Sequence, residues 1–277
     1  MMTIIQRNFF RLIRSGAFNR QEQVEPMSPY KWGQLYKLAL MHEVALEVYE
    51  GLQKCKDQFF LHLTDKQWAQ WEHTVIEIRR KPQEETDSDD EFLRADHLTN
   101  PLLNRKLQNI LDDEQSDTYT RQLLLTIIRC ARHIMNEGIP VRELVTMGYE
   151  LCKDGQRIDF ITLEKWIKSL HLQQMAQLEG SLLAEYLGFE QEEIPFVGKK
   201  INKEVERVAQ ELIEYNNKHA EEFYFSQNED NIFVHTKNGS AMLGHFRRSA
   251  RYFRYFPSES LTNFFASFAH SLSHIEE

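Results

Sequence analysis

Apolar residues recur every three to four positions along most of the chain, which is the spacing of one face of an α-helix. The widest of these stripes ends shortly before Gly138, as expected for a buried helix with a glycine at its end. It consists of Leu123, Leu124, Ile127, Ile128, Ala131, Ile134 and Met135. Only 11 glycines and 7 prolines interrupt the 277 residues, which is few for a fold of many short strands. The pattern therefore predicts an all-α protein with a central core helix.

Polar caps and glycines predict where other helices begin and end. Ser28 and Asn100 each precede a proline, so a side chain that accepts backbone hydrogen bonds is followed by the residue best suited to the first helical position. Thr64 is followed three residues later by a glutamine, which is the pattern of a capping box. Gly16 and Gly188 each follow an apolar stripe, and we expect both to end their helices in the left-handed conformation.

The end of the chain carries the most apolar of the predicted helices. Ser258 is its expected cap, and its apolar face consists of Leu261, Phe264, Phe265, Phe268 and Leu272. We expect this face to be buried in the core, with self-association through it as the alternative. Ahead of it, Asn238 and Gly239 separate two apolar runs, which is typical of a two-residue turn and favours one small β-hairpin near residues 231–246.

An acidic stretch predicts the division of the chain. Residues 83–97 read QEETDSDDEFLRADH, which is rich in like charge and poor in apolar side chains, as solvated linkers are. We therefore predict an N-terminal helical part over residues 1–82, an acidic linker over residues 83–99 and a C-terminal helical part over residues 100–277.

Charge and cysteine content narrow the classes of function. The formal net charge of −9 argues against a general nucleic-acid binder, because binding to phosphates needs a concentrated positive field. Three widely separated cysteines are typical of reduced thiols in a cytoplasm, and we expect them to be buried; they are Cys55, Cys130 and Cys152.

The N-terminal stripe predicts neither secretion nor insertion into a membrane. Arg7, Arg11 and Arg14 interrupt its apolar residues before the core of a signal peptide could form. We expect this helix to pack on the protein core, with binding to a membrane surface as the weaker alternative. No stretch approaches the roughly 18 uncharged apolar residues of a membrane-spanning helix. The sequence predicts a cytoplasmic protein with no membrane span.

The block from Asn100 to Phe196 contains NPLLNRKLQNIL, HIMNEGIPVRELV and RIDFITLEKWIKSLHLQQMAQLEGSLLAEYLGF. It resembles the C-terminal helical part of a family of uncharacterised bacterial nucleotidyltransferase-like proteins, or a narrower uncharacterised bacterial family of the same architecture. The nucleotidyltransferase resemblance implies transfer of a nucleotide with the help of two metal ions. Arg142 and Asp159 match recurring positions of the family pattern and are therefore candidate site residues without an assigned role.

The catalytic motif of that chemistry is missing from this sequence. It needs a Gly-Ser turn that holds phosphates, followed by two carboxylates on alternate strand positions that share the metal ions. Gly180-Ser181 lies within a helical pattern, and the first acidic residue after Gly239-Ser240 is Glu259. We therefore predict no catalytic residues and no cofactor, although an enzyme of this type with a cryptic site remains an alternative.

Two pairs have the spacing of metal ligands on a helix. Cys130 and His133 lie three residues apart, and His270 and His274 lie four apart. A structural metal site needs four ligands, and neither pair has a second pair to complete it. We predict no metal site, a buried Cys130 and a hydrogen-bonded His133, which is kept as a candidate site residue.

Residues 245–256 combine arginines and aromatic residues without an acid. Arginine can bind phosphates, and aromatic rings can stack on bases, so this segment could bind a phosphate-containing ligand or nucleic acid. In a protein of net charge −9 the same arginines more naturally pair with acidic residues of the chain itself or of a protein partner. The candidate ligand-binding residues are Arg247, Arg248, Arg251 and Arg254.

Taken together, these patterns favour a non-catalytic helical scaffold or protein-interaction protein. The expected partner is another protein, or a second copy bound through the C-terminal helix. The alternatives are the nucleotidyltransferase-type enzyme and the binder of phosphate ligands.

Overall fold

The structure is a computed structural model that describes residues 2–58, 61–80, 94–114, 116–136, 141–198 and 252–273. These ranges contain ten α-helices and no strand, so the predicted all-α class is confirmed. The helices are α1 (Ile4–Phe18), α2 (Pro29–Met41), α3 (Ala45–Lys54), α4 (Asp65–Arg80), α5 (Pro101–Leu111), α6 (Thr118–Asn136), α7 (Val141–Asp154), α8 (Phe160–Ser169), α9 (Gln173–Leu187) and α10 (Pro257–Ser273). The predicted hairpin near residues 231–246 lies outside the described residues.

The predicted caps account for most helix boundaries. The Ser28 side chain accepts a hydrogen bond from the Lys31 N–H, and Asn100 accepts from the first turn of α5. Thr64 and Gln67 form the predicted capping box at the start of α4. Gly188 ends α9 with a φ of 71°, in the left-handed region that favours glycine.

Gly16 does not end the first helix, which corrects one prediction. Helix α1 continues to Phe18 and ends at Asn19, whose φ is 55°. Gly16 instead faces α3, where a β-carbon would overlap the carbonyl oxygen of Glu47. Gly51 of α3 likewise has the backbone of Leu12 where its own β-carbon would lie. The two glycines therefore allow the backbones of α1 and α3 to touch.

Helix α1 packs on the protein core, as expected. Phe9, Leu12 and Ile13 are completely buried. On its polar side, Arg7 and Arg11 both bind Glu25 in the following loop, at 2.7 Å each. The hydrogen bond from Arg7 lowers the pKa of Glu25 to about 2.

Helix α6 is the central helix, as the apolar stripe predicts. All seven residues of that stripe are buried, and α6 contacts α7, α8 and α9. The two predicted parts of the chain share one hydrophobic core, because α1 also packs against α7 and α9. Where α1 meets α9, the rings of Phe10 and Tyr186 lie 4.9 Å apart, and Arg14 donates to the Tyr186 carbonyl at 3.1 Å. The boundary at residues 83–99 stays a prediction, since residues 83–93 lie outside the described ranges.

Two of the three cysteines are buried, and all three are free thiols. Cys55 and Cys130 are buried, but Cys152 is exposed on the outer side of α7, which corrects the prediction for this thiol. Within the described part of the chain, every helix falls short of the length and apolar character that crossing a bilayer requires.

Candidate functional site

Helix α10 is docked through its polar face. It begins at Pro257, one residue before the expected cap Ser258. The inward-facing side chains are Glu259, Ser260 and Asn263, which are at most 2 % exposed. Of the apolar face that we expected in the core, Leu261 is instead 50 % exposed and Phe265 is 59 % exposed, while Phe264 is half-buried. The side chains of Phe268 and Leu272 lie outside the described residues. This orientation is the reverse of the usual amphipathic helix on a protein surface.

Glu259 is the centre of the contacts that hold α10 in this orientation. Its Oε1 atom accepts hydrogen bonds from Arg132 Nη1 at 2.9 Å and from the backbone N–H of Thr99 at 2.6 Å. Its Oε2 atom accepts from the backbone N–H of Asn100 at 3.0 Å. The Arg132 and Glu259 side chains are both 0 % exposed, so this is a completely buried ion pair. Such a pair is tolerated only when both charges are well hydrogen-bonded.

Further polar contacts run along the same face of α10. Asn263 donates to Asn136 Oδ1 at 2.6 Å, and Asn136 in turn donates to the carbonyl oxygen of Arg132 at 3.0 Å. The Thr99 and Thr262 hydroxyls lie 2.9 Å apart. Helix α10 is therefore joined to α6 and to the start of α5 by hydrogen bonds and one ion pair.

The outer face of α10 carries no charged side chain in the part that the structure describes, which extends to Ala266. From Ser260 to Ser273 the sequence is SLTNFFASFAHSLS, which contains no aspartate, glutamate, lysine or arginine. The one acidic residue of the first turn, Glu259, points inward and is bound by Arg132. The exposed apolar side chains Leu261 and Phe265 thus lie on an uncharged strip, which we call the α10 outer face.

Arg254 is the one predicted ligand-binding arginine within the described residues; Arg247, Arg248 and Arg251 lie outside them. The exposed guanidinium of Arg254 donates to the Tyr255 hydroxyl at 3.0 Å and lies 4.8 Å from the centre of its ring. Arg254 also lines an open cleft of about 570 Å³, together with Gln173, Gln174 and Gln177 of α9.

The structure places Asp159 away from His133, whereas Arg142 is next in sequence to Glu143, which lies near His133. His133 Nε2 lies 3.9 Å from Glu143 at the contact between α6 and α7. Arg142 forms an exposed ion pair with Glu43 at 3.1 Å. Asp159 caps α8, and its pKa is lowered mainly by the hydrogen bond from the Thr162 hydroxyl.

The distance between Asp159 and His133 follows from helix geometry. The Asp159 N–H donates to Thr120 Oγ1 at 2.8 Å, and Thr120 lies near the opposite end of α6 from His133. Thirteen residues of helix separate Thr120 from His133, which corresponds to about 20 Å. Asp159 therefore caps α8 at a distance from His133, and Arg142, in the first turn of α7, pairs with Glu43.

A buried acid is a feature that the sequence analysis missed. Glu179 of α9 is 0 % exposed, and neither of its carboxylate oxygens has a hydrogen-bond partner in the described part of the chain. Burial raises the pKa of Glu179 well above its ordinary value. The pKa of the buried Cys130 thiol is also raised, first by burial and then by the nearby carboxylates of Glu179 and Glu143.

Glu150 is a second carboxyl group whose pKa is raised, although by less than that of Glu179. Glu150 of α7 accepts hydrogen bonds from Thr126 at 2.8 Å and Gln122 at 3.2 Å, while burial raises its pKa to about 7. Among the residues that the structure describes, no three histidine, cysteine or acidic side chains are grouped so that they could hold a metal ion.

Comparison of the chain with models of protein families, with curated proteins and with solved structures finds no match. The nucleotidyltransferase resemblance therefore stays a prediction.

Proposed function

We propose that this chain is a non-catalytic helical scaffold of the cytoplasm that binds a protein partner through the α10 outer face. The observation that carries the proposal is the orientation of α10, which buries Glu259 and Asn263 and exposes Leu261 and Phe265. Exposed apolar side chains that lie together on an uncharged surface are typical of protein interfaces.

The buried ion pair explains how this orientation is maintained. Turning α10 over would bury more apolar surface, but it would also take Glu259 away from the Arg132 guanidinium, which is completely enclosed. Breaking such a pair and leaving one charge buried costs about 3–5 kcal/mol, which is comparable to the gain from burying two large apolar side chains. The polar contacts therefore keep the apolar side chains available for a partner.

The proposal is tested by site-specific photo-crosslinking in cells that express the full chain. A photo-crosslinking phenylalanine analogue is placed at Phe265, and the matched control carries it at Ile161 of α8, which is 69 % exposed. We expect one defined covalent adduct from position 265 and none from position 161. No adduct from position 265, or the same adducts from both positions, would contradict the proposal.

A second candidate function is binding of a phosphate-containing ligand in the cleft beside Arg254. The cleft is lined by the first residues of α9, and Leu172, which precedes that helix, provides no side-chain cap. The uncapped N–H groups at a helix start and an arginine both favour anions. This observation is the specific support for the phosphate-binder alternative.

One thermal-shift experiment separates the scaffold from both alternatives, because a ligand that binds only the folded state raises its apparent stability. The probes are inorganic phosphate and nucleoside triphosphates, with and without Mg²⁺. The scaffold proposal predicts no shift. A shift that Arg254→Gln removes would favour the phosphate binder, and a Mg²⁺-dependent shift that survives Arg254→Gln would favour a nucleotidyltransferase-type enzyme.

A further inference from the structure

The α10 outer face has the pattern of a helix that pairs with another helix. Leu261 and Phe265 lie four residues apart and are both exposed. The sequence continues this spacing with Phe268 and Leu272, so the successive apolar residues are four, three and four positions apart. This is the spacing of the apolar positions in a two-helix seam, where each side chain inserts between residues of the facing helix.

The charge distribution favours a second copy of this chain over a charged partner. Each chain carries a formal net charge of −9, so two copies repel each other over most of their surfaces. The segment from Ser260 to Ser273 has no charged residue, and Glu259 is buried against Arg132. Two copies can therefore meet along α10 without placing like charges opposite each other.

A charged partner would find little to bind on this face. A basic or acidic peptide gains specificity from opposite charges across the interface, and the outer face has none to offer. A surface that matches itself also suits the two-fold symmetry of most homodimers, in which the same patch is used by both subunits.

We propose that two copies of this chain associate along their α10 helices, with Leu261 and Phe265 of each copy packed against the helix of the other. This inference rests on the proposed function, because it names the protein partner of the same surface. A helix of 17 residues is about 25 Å long, so the contact is smaller than most permanent interfaces. The dimer is therefore expected to dissociate in the micromolar range.

Sedimentation velocity of the purified full chain over a range of concentrations tests the inference. We expect the mass to rise from that of the 33.0 kDa monomer to twice this value as concentration increases. Leu261→Asp and Phe265→Asp should each weaken association by at least about tenfold, because a carboxylate would be desolvated in the contact. Ile161→Asp, which makes the same chemical change at another exposed site, should leave association unchanged.

Salt dependence gives a second measurement that needs no variant. Added NaCl screens the repulsion between the two negative chains without weakening an uncharged contact, so association should be equal or stronger at high salt. A wild-type chain that stays monomeric throughout, a dimer that salt dissociates, or equal effects of Ile161→Asp and Phe265→Asp would each overturn the inference.

The outcomes also separate this inference from the proposed function. A monomeric chain whose position 265 still crosslinks to a different protein would reject pairing of two copies and retain the interaction surface. A monomeric chain that gives no crosslink from position 265 would reject both.

Discussion

Glu179 illustrates how one buried group can lower the stability of a well-packed core. Its carboxyl is fully enclosed on α9 and has no hydrogen-bond partner among the described residues. Burying a carboxylate without a hydrogen-bond partner costs free energy, and the acid avoids part of that cost by remaining protonated. The pKa of Glu179 is raised for this reason. The folded state then binds a proton that the unfolded state releases, so stability falls as pH rises above the ordinary glutamate range.

We expect Glu179→Gln to have little effect on the free energy of unfolding in mild acid and to become stabilising as pH rises toward 8. Glu179→Leu, which removes the polar group altogether, should stabilise the protein by about 1–3 kcal/mol at neutral pH. Urea unfolding at several pH values measures both effects. Glu185→Gln, on the exposed side of the same helix, is the control and should change stability by less than about 0.5 kcal/mol. A pH-independent effect of Glu179→Gln would show that this carboxyl is not held protonated.

Arg132 and Glu259 differ from Glu179, because these two buried charged groups form hydrogen bonds. Removing one partner takes away the ion pair that holds the other charge in this enclosed position. We expect Arg132→Met and Glu259→Gln each to destabilise the fold by about 3–5 kcal/mol at neutral pH. The double variant should cost clearly less than the sum of the two, as for residues in direct contact. Chemical denaturation of all four proteins in this cycle gives the coupling energy, and additive effects would argue against a direct pair.

At the level of the elements, α1 and α3 cross with their backbones in direct contact. Gly16 and Gly51 lie where a methyl group would meet the backbone of the opposite helix, and a backbone cannot move aside as a flexible side chain can. Gly33 of α2 provides a natural control, since nothing lies within 4 Å of the position that its β-carbon would take.

We therefore expect Gly16→Ala and Gly51→Ala to destabilise the protein by about 1–3 kcal/mol, because the two helices must separate. Gly33→Ala should instead stabilise it by about 0.5–1 kcal/mol, since alanine favours a helix interior. Thermal unfolding of the three variants gives the comparison. A stabilising effect of alanine at Gly16 would mean that α1 and α3 are farther apart than described.

The elements that the sequence predicted well depend on local chemistry. Ser28, Thr64 and Asn100 cap helices through bonds to residues two or three positions away, so their pattern is visible in a short stretch of sequence. The stripe of α6 is similarly local and is buried as expected. Gly16 was misassigned because a glycine needed for a close helix crossing has the same local signature as a glycine that ends a helix.

The orientation of α10 could not be predicted from local pattern. Its apolar residues favour burial of one face, but the residues that decide the outcome are distant in sequence. Arg132 lies 127 positions from Glu259, and Thr99 lies 160 positions away. The burial of Arg132 on the central helix is apparent only once the fold has enclosed it, and Glu259 of α10 then pairs with it.

At the scale of the whole molecule, one hydrophobic core extends from α1 to the start of α10 and supports a helix that is bound by polar contacts. The core provides the stability of the fold, whereas the buried polar contacts determine which side of α10 faces the solvent. This division of roles separates the surface available to a partner from the contacts that stabilise the chain. Changes on the α10 outer face should therefore alter association more than folding.

The orientation of α10 is tested most directly by the reactivity of cysteines at two adjacent positions. In a Cys152→Ser background, which removes the exposed native thiol, Ser260→Cys and Leu261→Cys are alkylated at a dilution at which the chain is monomeric. Ser260 is 2 % exposed and Leu261 is 50 % exposed. We predict that the cysteine at position 261 reacts at least about tenfold faster, because position 260 must wait for local opening of the helix. Equal rates, or faster reaction at position 260, would contradict an α10 docked through its polar face.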